Sequence, residues 1–175
     1  MVDETYRFRV GQETMRQPGA RRRAEAVRLA APAPTRGTDA EPILLDRTFG
    51  GDEITALRHE ARDRLARAGV DNDRLDGFVL AVNEVLTNVV LHAGGHGRIV
   101  VWLTAGSAWC TVTDSGPGIP ERFHHPPEAP EVFGVGGRGI WLAYQLCDEV
   151  TMATGPIGTT IGLRIALPSG GRRRT

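Results

Sequence analysis

From residue 43 onward the apolar positions fall into two rhythms, one of period two and one of helical period. "ILLDRTF" (43–49) reads as a short strand. In "DEITALRHEARDRLARAG" the residues Ile54, Leu57, Ala61, Leu65 and Ala68 recur at helical spacing, with Asp52 as the expected cap and Gly69 as the stop. A second helix is predicted from Asn72 to about Ala93, closed by Gly94 and Gly95, with Leu75, Phe78, Val79, Val82, Leu86, Val89 and Val90 as its core stripe. "RIVVWLT" and "AWCTVTD" read as strands joined by "AGS", a hairpin signal. "GRGIWLAYQLCD" reads as a third helix, and "EVTMAT" and "TTIGLRIAL", joined around "GPIG", as a closing hairpin. The order strand, two helices, hairpin, helix, hairpin predicts a two-layer α/β sandwich, with a mixed, mostly antiparallel sheet and helices on one face. It is not the order of a doubly wound sheet.

The chain divides near residue 41. Residues 1–40 mix arginine clusters with Pro, Ala and Gly, offer little to bury and read as a disordered extension, in which "RRRAEAVRLA" forms at most a transient helix. Residues 41–168 are the expected domain, and 169–175 a basic, solvated tail. A length of 175 residues suits one domain, and 41% hydrophobic with 24% charged residues is ordinary globular composition. The formal net charge of zero gives no overall steering toward nucleic acid or an anionic membrane. Cys110 and Cys147 sit in apolar stretches and read as buried thiols in a reducing compartment. No apolar run approaches the roughly 18 residues of a membrane span, and the N-terminus lacks a signal-peptide centre, so a cytoplasmic location is expected.

Three stretches carry candidate chemistry. Within "FVLAVNEVLTNVVL" Glu84 and Asn88 lie opposite the core stripe, four residues and about 6 Å of rise apart, so their side chains are neighbours. They mark either a narrow solvated face or a polar cleft in which the Asn88 amide oxygen ligates a hard cation and Glu84 accepts a proton. "GVGGRGI" (134–140) matches the dinucleotide fingerprint formally, but "PPEAPEVF" before it is no strand and no acid follows at the required distance. All 21 basic residues are arginine, which excludes a Walker A loop and a eukaryotic-type kinase, since each needs a lysine. What remains is a glycine-rich helix start, suited either to close packing or to phosphate at exposed N–H groups. "DSGPGIP" (114–120) is by composition a tight turn, and whether it is also a binding loop rests on its neighbours.

Together these stretches resemble the Bergerat-fold (GHKL) ATPases. "NEVLTNVVLHA" is similar to the N box, "DSGPGIP" to the aspartate-glycine box, "GGRGIWLAYQL" to the second glycine box and "GTT" (158–160) to the final one, in family order over residues 43–167. The resemblance implies ATP and Mg²⁺. Asp114 would accept a hydrogen bond from the adenine amine, Gly116 and Gly118 would let the backbone pass beneath the base, and Thr159 would support both. Gly136, Gly137 and Gly139 would face the phosphates with Arg138 as a charge partner, and Asn88 would hold Mg²⁺. Glu84, four residues before the metal-binding asparagine, would be the catalytic base.

Within that superfamily the short segment "ERFHHPPEAPEVFGV" and the stretch "GGRGIWLAYQLCDEV" resemble actinobacterial anti-sigma-factor serine/threonine kinases. The implied activity is transfer of the ATP γ-phosphoryl group to a serine or threonine of an anti-anti-sigma (STAS-domain) partner, by a protein that alternately holds a sigma factor. The resemblance leaves room for a homodimer and implies no direct contact with nucleic acid. A non-catalytic, ATP-dependent binding switch would keep every nucleotide residue and stays open. "HEARD" (59–63) is too close to the N box to be a phosphoacceptor helix, so His59 reads as a solvated helix residue. His92, His96, His124, His125 and Cys147 show no paired zinc-ligand spacing.

Overall fold

In the computed structural model, which describes residues 4–9, 42–120 and 138–167, the two rhythms resolve into strands β1 (Glu4–Arg9), β2 (Ile43–Phe49), β3 (Gly97–Thr104), β4 (Ser107–Asp114), β5 (Glu149–Gly155) and β6 (Gly158–Ala166). The helices are α1 (Ile54–Arg67), α2 (Asn72–His92) and α3 (Arg138–Leu146). One sheet runs in the order β1-β5-β6-β4-β3-β2, and every pairing in it is antiparallel. The domain proper supplies five strands, as the sequence predicts.

The sixth strand is a correction. Glu4–Arg9 lies in the span expected to be disordered, yet it pairs with β5 from Glu4↔Thr154 to Arg9↔Glu149. "ETYRFR" alternates polar or charged residues with aromatics, a strand pattern masked by the arginine- and proline-rich composition that follows. Residues 10–41 and the tail 168–175 lie outside the described residues.

Alternation sorts each strand into two faces. Ile99 and Val101 of β3, Ala108, Cys110 and Val112 of β4, Val150 and Met152 of β5, and Ile161, Leu163 and Ile165 of β6 share one core with the buried stripes of the helices. On the opposite face Trp102 stacks on Trp109 at 5.9 Å between ring centroids, and the Arg164 guanidinium lies 5.8 Å from the Trp109 ring centre while Nε bonds buried Glu149 at 2.9 Å. Burying that ion pair costs desolvation, which the two-way hydrogen bonding of Arg164 to Glu149 and to Ser107 Oγ at 3.1 Å offsets.

Local signals explain most element ends, with one exception. Asp71 accepts the Asp73 N–H at 3.0 Å and caps α2, and glycines Gly69, Gly94 and Gly95 follow the first two helices with positive φ. Asp52 does not cap α1. A single turn of tighter helix, Gly51–Glu53, intervenes, and Glu53 rather than Asp52 takes the Gly50 N–H at 2.8 Å. Val90, expected in the core stripe, is only half-buried.

By length and composition α2 is apolar enough to cross a membrane. Its hydropathy is accounted for by packing: Leu75, Phe78, Val82, Leu86 and Val89 are buried in the shared core. Burial also pushes both thiols up, Cys147 to about 12 with Asp148 adding to the effect, so Cys110 and Cys147 stay protonated and unreactive at neutral pH.

The β5–β6 turn is built for one residue type. Gly158 has φ +146°, and a methyl group there would stand 2.2 Å from the Asp114 carbonyl oxygen. Gly158→Ala therefore combines backbone strain of about 1–3 kcal/mol with a clash against β4. Urea denaturation should show a loss in that range or larger. A change within about 0.5 kcal/mol would mean that the turn relaxes freely.

Candidate functional site

Three strand ends and two helices converge on one side of the sheet. Asp114 ends β4, its register partner on β6 is Thr159, and the register partner of Thr159 on β5 is Thr154. All three continue the alternation of the core-facing residues, so this row of polar side chains closes the core at one end.

Asp114 Oδ1 accepts the N–H of Gly116 at 2.8 Å and the N–H of Thr159 at 3.2 Å. The first bond is the aspartate-directed turn that "DSGPGIP" advertises. The second ties that turn to β6. Both bonds fall on one oxygen, and among the described residues nothing donates to Oδ2. An ionised carboxylate only accepts, so Oδ2 is open to a donor from a ligand.

The loop beyond Asp114 is pressed onto its surroundings. A methyl group at Gly116 would lie 2.6 Å from Ala93 Cβ at the C-terminal end of α2. Gly118, at φ +85°, would meet the Gly155 carbonyl oxygen at 2.5 Å. Ile119 N–H donates to Thr154 Oγ1 at 2.8 Å, and Thr154 Oγ1 lies 3.0 Å from Thr159 Oγ1.

The second half of the site is the α2–α3 contact. Gly77 of α2 faces Leu146, and Glu84 and Asn88 face Gly139. Seven residues separate Gly77 from Glu84, and seven separate Gly139 from Leu146, about 10 Å of rise on each helix, so the helices run antiparallel. A methyl group at Gly139 would stand 2.9 Å from Glu84 Oε2 and 3.4 Å from Asn88 Nδ2. The first described turn of α3 is thereby seated beside a carboxylate and a carboxamide, both half-buried. Glu84 and Asn88 are half-buried against α3 rather than on an open solvated face.

Most of the residues singled out from the sequence are brought together here. Asp114, Gly116, Gly118 and Thr159 form one cluster, and Glu84, Asn88 and Gly139 the other, with Arg138 exposed as the first residue of α3. Gly136, Gly137, His124 and His125 lie outside the described residues. Sequence reasoning gave no role of their own to Thr154, Ala93 and Gly158. The signal for Thr154 was present, since it continues the core-facing alternation of "EVTMAT" to the strand's end.

A family model described as a histidine kinase-like ATPase domain matches residues 51–165. The chain belongs to that family. No curated protein sequence matches it. Among solved structures, this histidine kinase-like ATPase domain shares its fold with part of the chain that holds the RsbU and RsbW domains of Rv1364c from Mycobacterium tuberculosis. The identity is 22% and the TM-score 0.55, over 73% of this chain and 33% of that one. It thus spans about a third of that protein's length. A looser alignment, at 22% identity and a TM-score of 0.40, pairs 84% of it with 78% of the histidine kinase domain from the Erythrobacter litoralis EL346 blue-light activated histidine kinase.

A histidine kinase-like ATPase domain implies ATP. The residues fit that nucleotide: Oδ2 of Asp114 has no donor among the described residues, positions 116 and 118 carry no side chain, and Gly139 lets α3 approach Glu84 and Asn88. For an accompanying metal, Asn88 and Glu84 offer hard oxygen donors of the kind Mg²⁺ takes in company with phosphates and water. Among the described residues no group of three or more His, Cys, Asp and Glu could hold a metal by itself. The nucleotide would have to complete the coordination.

Proposed function

We propose that the domain binds Mg·ATP with adenine on Asp114 and the phosphates at the α3 N-terminus, and that it is a serine/threonine kinase. The observation that carries the reading is the pairing of an open carboxylate oxygen at one end of the cleft with the Glu84–Asn88–Gly139 contact at the other. Adenine presents an amine where guanine presents a carbonyl, and Asp114 Oδ2 is an acceptor only. The glycine at 139 lets phosphate oxygens approach backbone N–H groups, with Gly136, Gly137 and Arg138 assigned to the same role. Mg²⁺, held on the Asn88 oxygen, would neutralise charge on the phosphates. Every residue of the site falls within 41–168, the proposed ATP-binding domain.

In the transfer step Glu84 accepts the proton of the partner's hydroxyl as that oxygen bonds to the γ-phosphorus. The bond from γ-phosphorus to the bridging oxygen breaks, and ADP departs with its electron pair. Glu84 lies four residues, one helical turn, from Asn88, so metal and base act on neighbouring atoms.

The partner assignment rests on the likeness of "GGRGIWLAYQLCDEV" and the short 121–135 segment to anti-sigma regulators, and a fold shared with part of a chain that carries RsbU and RsbW domains supports it. The acceptor is an anti-anti-sigma STAS-domain protein, and the same surface alternately holds a sigma factor in the cytoplasm. Incubating the purified chain with labelled ATP, Mg²⁺ and STAS-domain proteins of the same organism, followed by phosphosite mapping, tests this. Label on one serine or threonine is the expected result. Label on histidine, or on none of the partners, contradicts it.

The metal assignment has its own check. Asn88→Ala should weaken ATP binding about tenfold or more in excess Mg²⁺, because a metal ligand is lost. In EDTA the variant and the wild type should bind ATP alike. An equal loss with and without Mg²⁺ would show that Asn88 touches the nucleotide directly.

A further inference from the structure

The described helices pack on the core face of the sheet, yet the opposite face is not bare. Its strand pairings line up into one row across all the strands: Arg9↔Glu149, Glu149↔Arg164, Arg164↔Trp109, Trp109↔Trp102 and Trp102↔Ile43. Directly paired residues share a face, so the whole row lies on the side away from the helices. Its centre is buried. Trp102 is 0% exposed, Trp109 6% and Glu149 2%. The apolar cluster of Trp102, Trp109 and Val100 contains no helix residue, and two rings stacked on an open sheet would keep their outer edges in water. The Trp102 indole N–H is buried as well, with no hydrogen-bond partner among the described residues.

Where the rest of the chain leaves and rejoins the sheet decides what can cover this row. Residues 121–137 depart from the Asp114 end of β4, about 17 Å along the strand from Trp109. The tail 168–175 starts closer, since Leu167 N–H donates to the Gly106 carbonyl at 2.8 Å, but "PSGGRRRT" brings no large apolar side chain. Residues 10–41 leave from Arg9 and return beside Ile43, the two ends of the row itself. The crossing is five strand spacings, about 24 Å, which this segment exceeds several times over. It also carries Met15, Val27 and Leu29.

We infer that residues 10–41 cross the sheet on the face away from the helices and cover the Trp102–Trp109 stack, which makes this face a docking surface for the chain's own N-terminal segment. β1 anchors one end of the segment on β5, and β2 anchors the other on β3. Apolar side chains of the segment close over the rings, and one of its backbone carbonyls takes the Trp102 N–H, a donor that is costly to leave buried and unpaired. While the segment is docked, no other partner reaches the stack.

Nuclear magnetic resonance of the full chain with isotope-labelled tryptophan tests this. Trp102, Trp109 and Trp141 give separate indole signals, and Trp141 lies on α3, across the sheet from the stack. A nitroxide attached through Ala26→Cys, near the middle of the segment, should erase the Trp102 and Trp109 signals and spare that of Trp141. Cys110 and Cys147 are buried and take no label. In the unmodified chain the Trp102 indole proton should exchange with solvent about a hundredfold more slowly than in free tryptophan, or slower still. Loss of the Trp141 signal as well, or alone, would put the segment on the helices and overturn the inference. A slowly exchanging Trp102 without signal loss would assign the cover to the tail. Loss that is as strong when nitroxide and isotope sit on separate, mixed chains would assign it to a second copy. Either result overturns the inference, and so does rapid exchange at Trp102, because the face would then be open.

Discussion

Glu84→Gln is expected to abolish most phosphoryl transfer while leaving nucleotide binding in place. Glutamine keeps the size and hydrogen bonding of the side chain that faces Gly139, so the α2–α3 contact survives. What it loses is the proton acceptor. General-base catalysis contributes about 10²- to 10⁴-fold, and because phosphoryl transfer relies on positioning, the loss should fall toward the upper end. The check is single-turnover transfer to the purified antagonist at saturating Mg·ATP, with binding measured separately. Equal transfer by both proteins would show that Glu84 is not the base. A wild type that transfers nothing, while both proteins still hold sigma factor, would replace the kinase with an ATP-dependent binding switch.

Asp114→Asn should weaken ATP by about 1.5–3 kcal/mol, the worth of a hydrogen bond to a charged group, or roughly tenfold to more than a hundredfold in Kd. Asparagine has one acceptor and one donor end where the site needs two acceptors. If its oxygen keeps the Gly116 and Thr159 N–H groups, its NH₂ confronts the adenine amine. If it turns over, the NH₂ confronts the two backbone donors. GTP, with a carbonyl at that position, gains a donor from the first arrangement, so the preference for ATP should collapse more than affinity alone. Calorimetric titration of both nucleotides gives the ratio. Unchanged ATP affinity in a folded variant would place the base elsewhere.

The two halves of the site were legible to different depths. The "DSGPGIP" turn is local chemistry: an aspartate bonding two residues on, followed by glycines, and the structure shows that bond at 2.8 Å. That the second bond comes from Thr159, leaving Oδ2 open, depends on the β4–β6 register, to which residues 45 positions apart contribute. Glu84 and Asn88 stood out as polar positions on a greasy helix, but one helix cannot reveal what faces it. Gly139 supplies that answer only because α3 crosses α2 antiparallel, with glycines two turns apart on the matching faces. The alternation of "EVTMAT" places Thr154 on the core-facing side, but its contacts with Ile119 and Thr159 exist only where the strands and the loop after β4 meet. At the N-terminus composition misled, since six residues of strand pattern were outweighed by the arginine-rich run behind them. Asp52 failed as a cap because the chain takes a tighter turn first, which shifts the helix start to Ile54, while the Glu53 carboxylate takes the Gly50 N–H ahead of that turn.

The most direct test of the account is a crystal structure of the full chain with Mg²⁺ and a non-hydrolysable ATP analogue. The account predicts the adenine amine within hydrogen-bonding distance of Asp114 Oδ2, Mg²⁺ on the Asn88 oxygen, and phosphate oxygens on the N–H groups at the start of α3 beside Gly139. Adenine turned away from Asp114, or phosphates bound away from the α3 N-terminus, would contradict it.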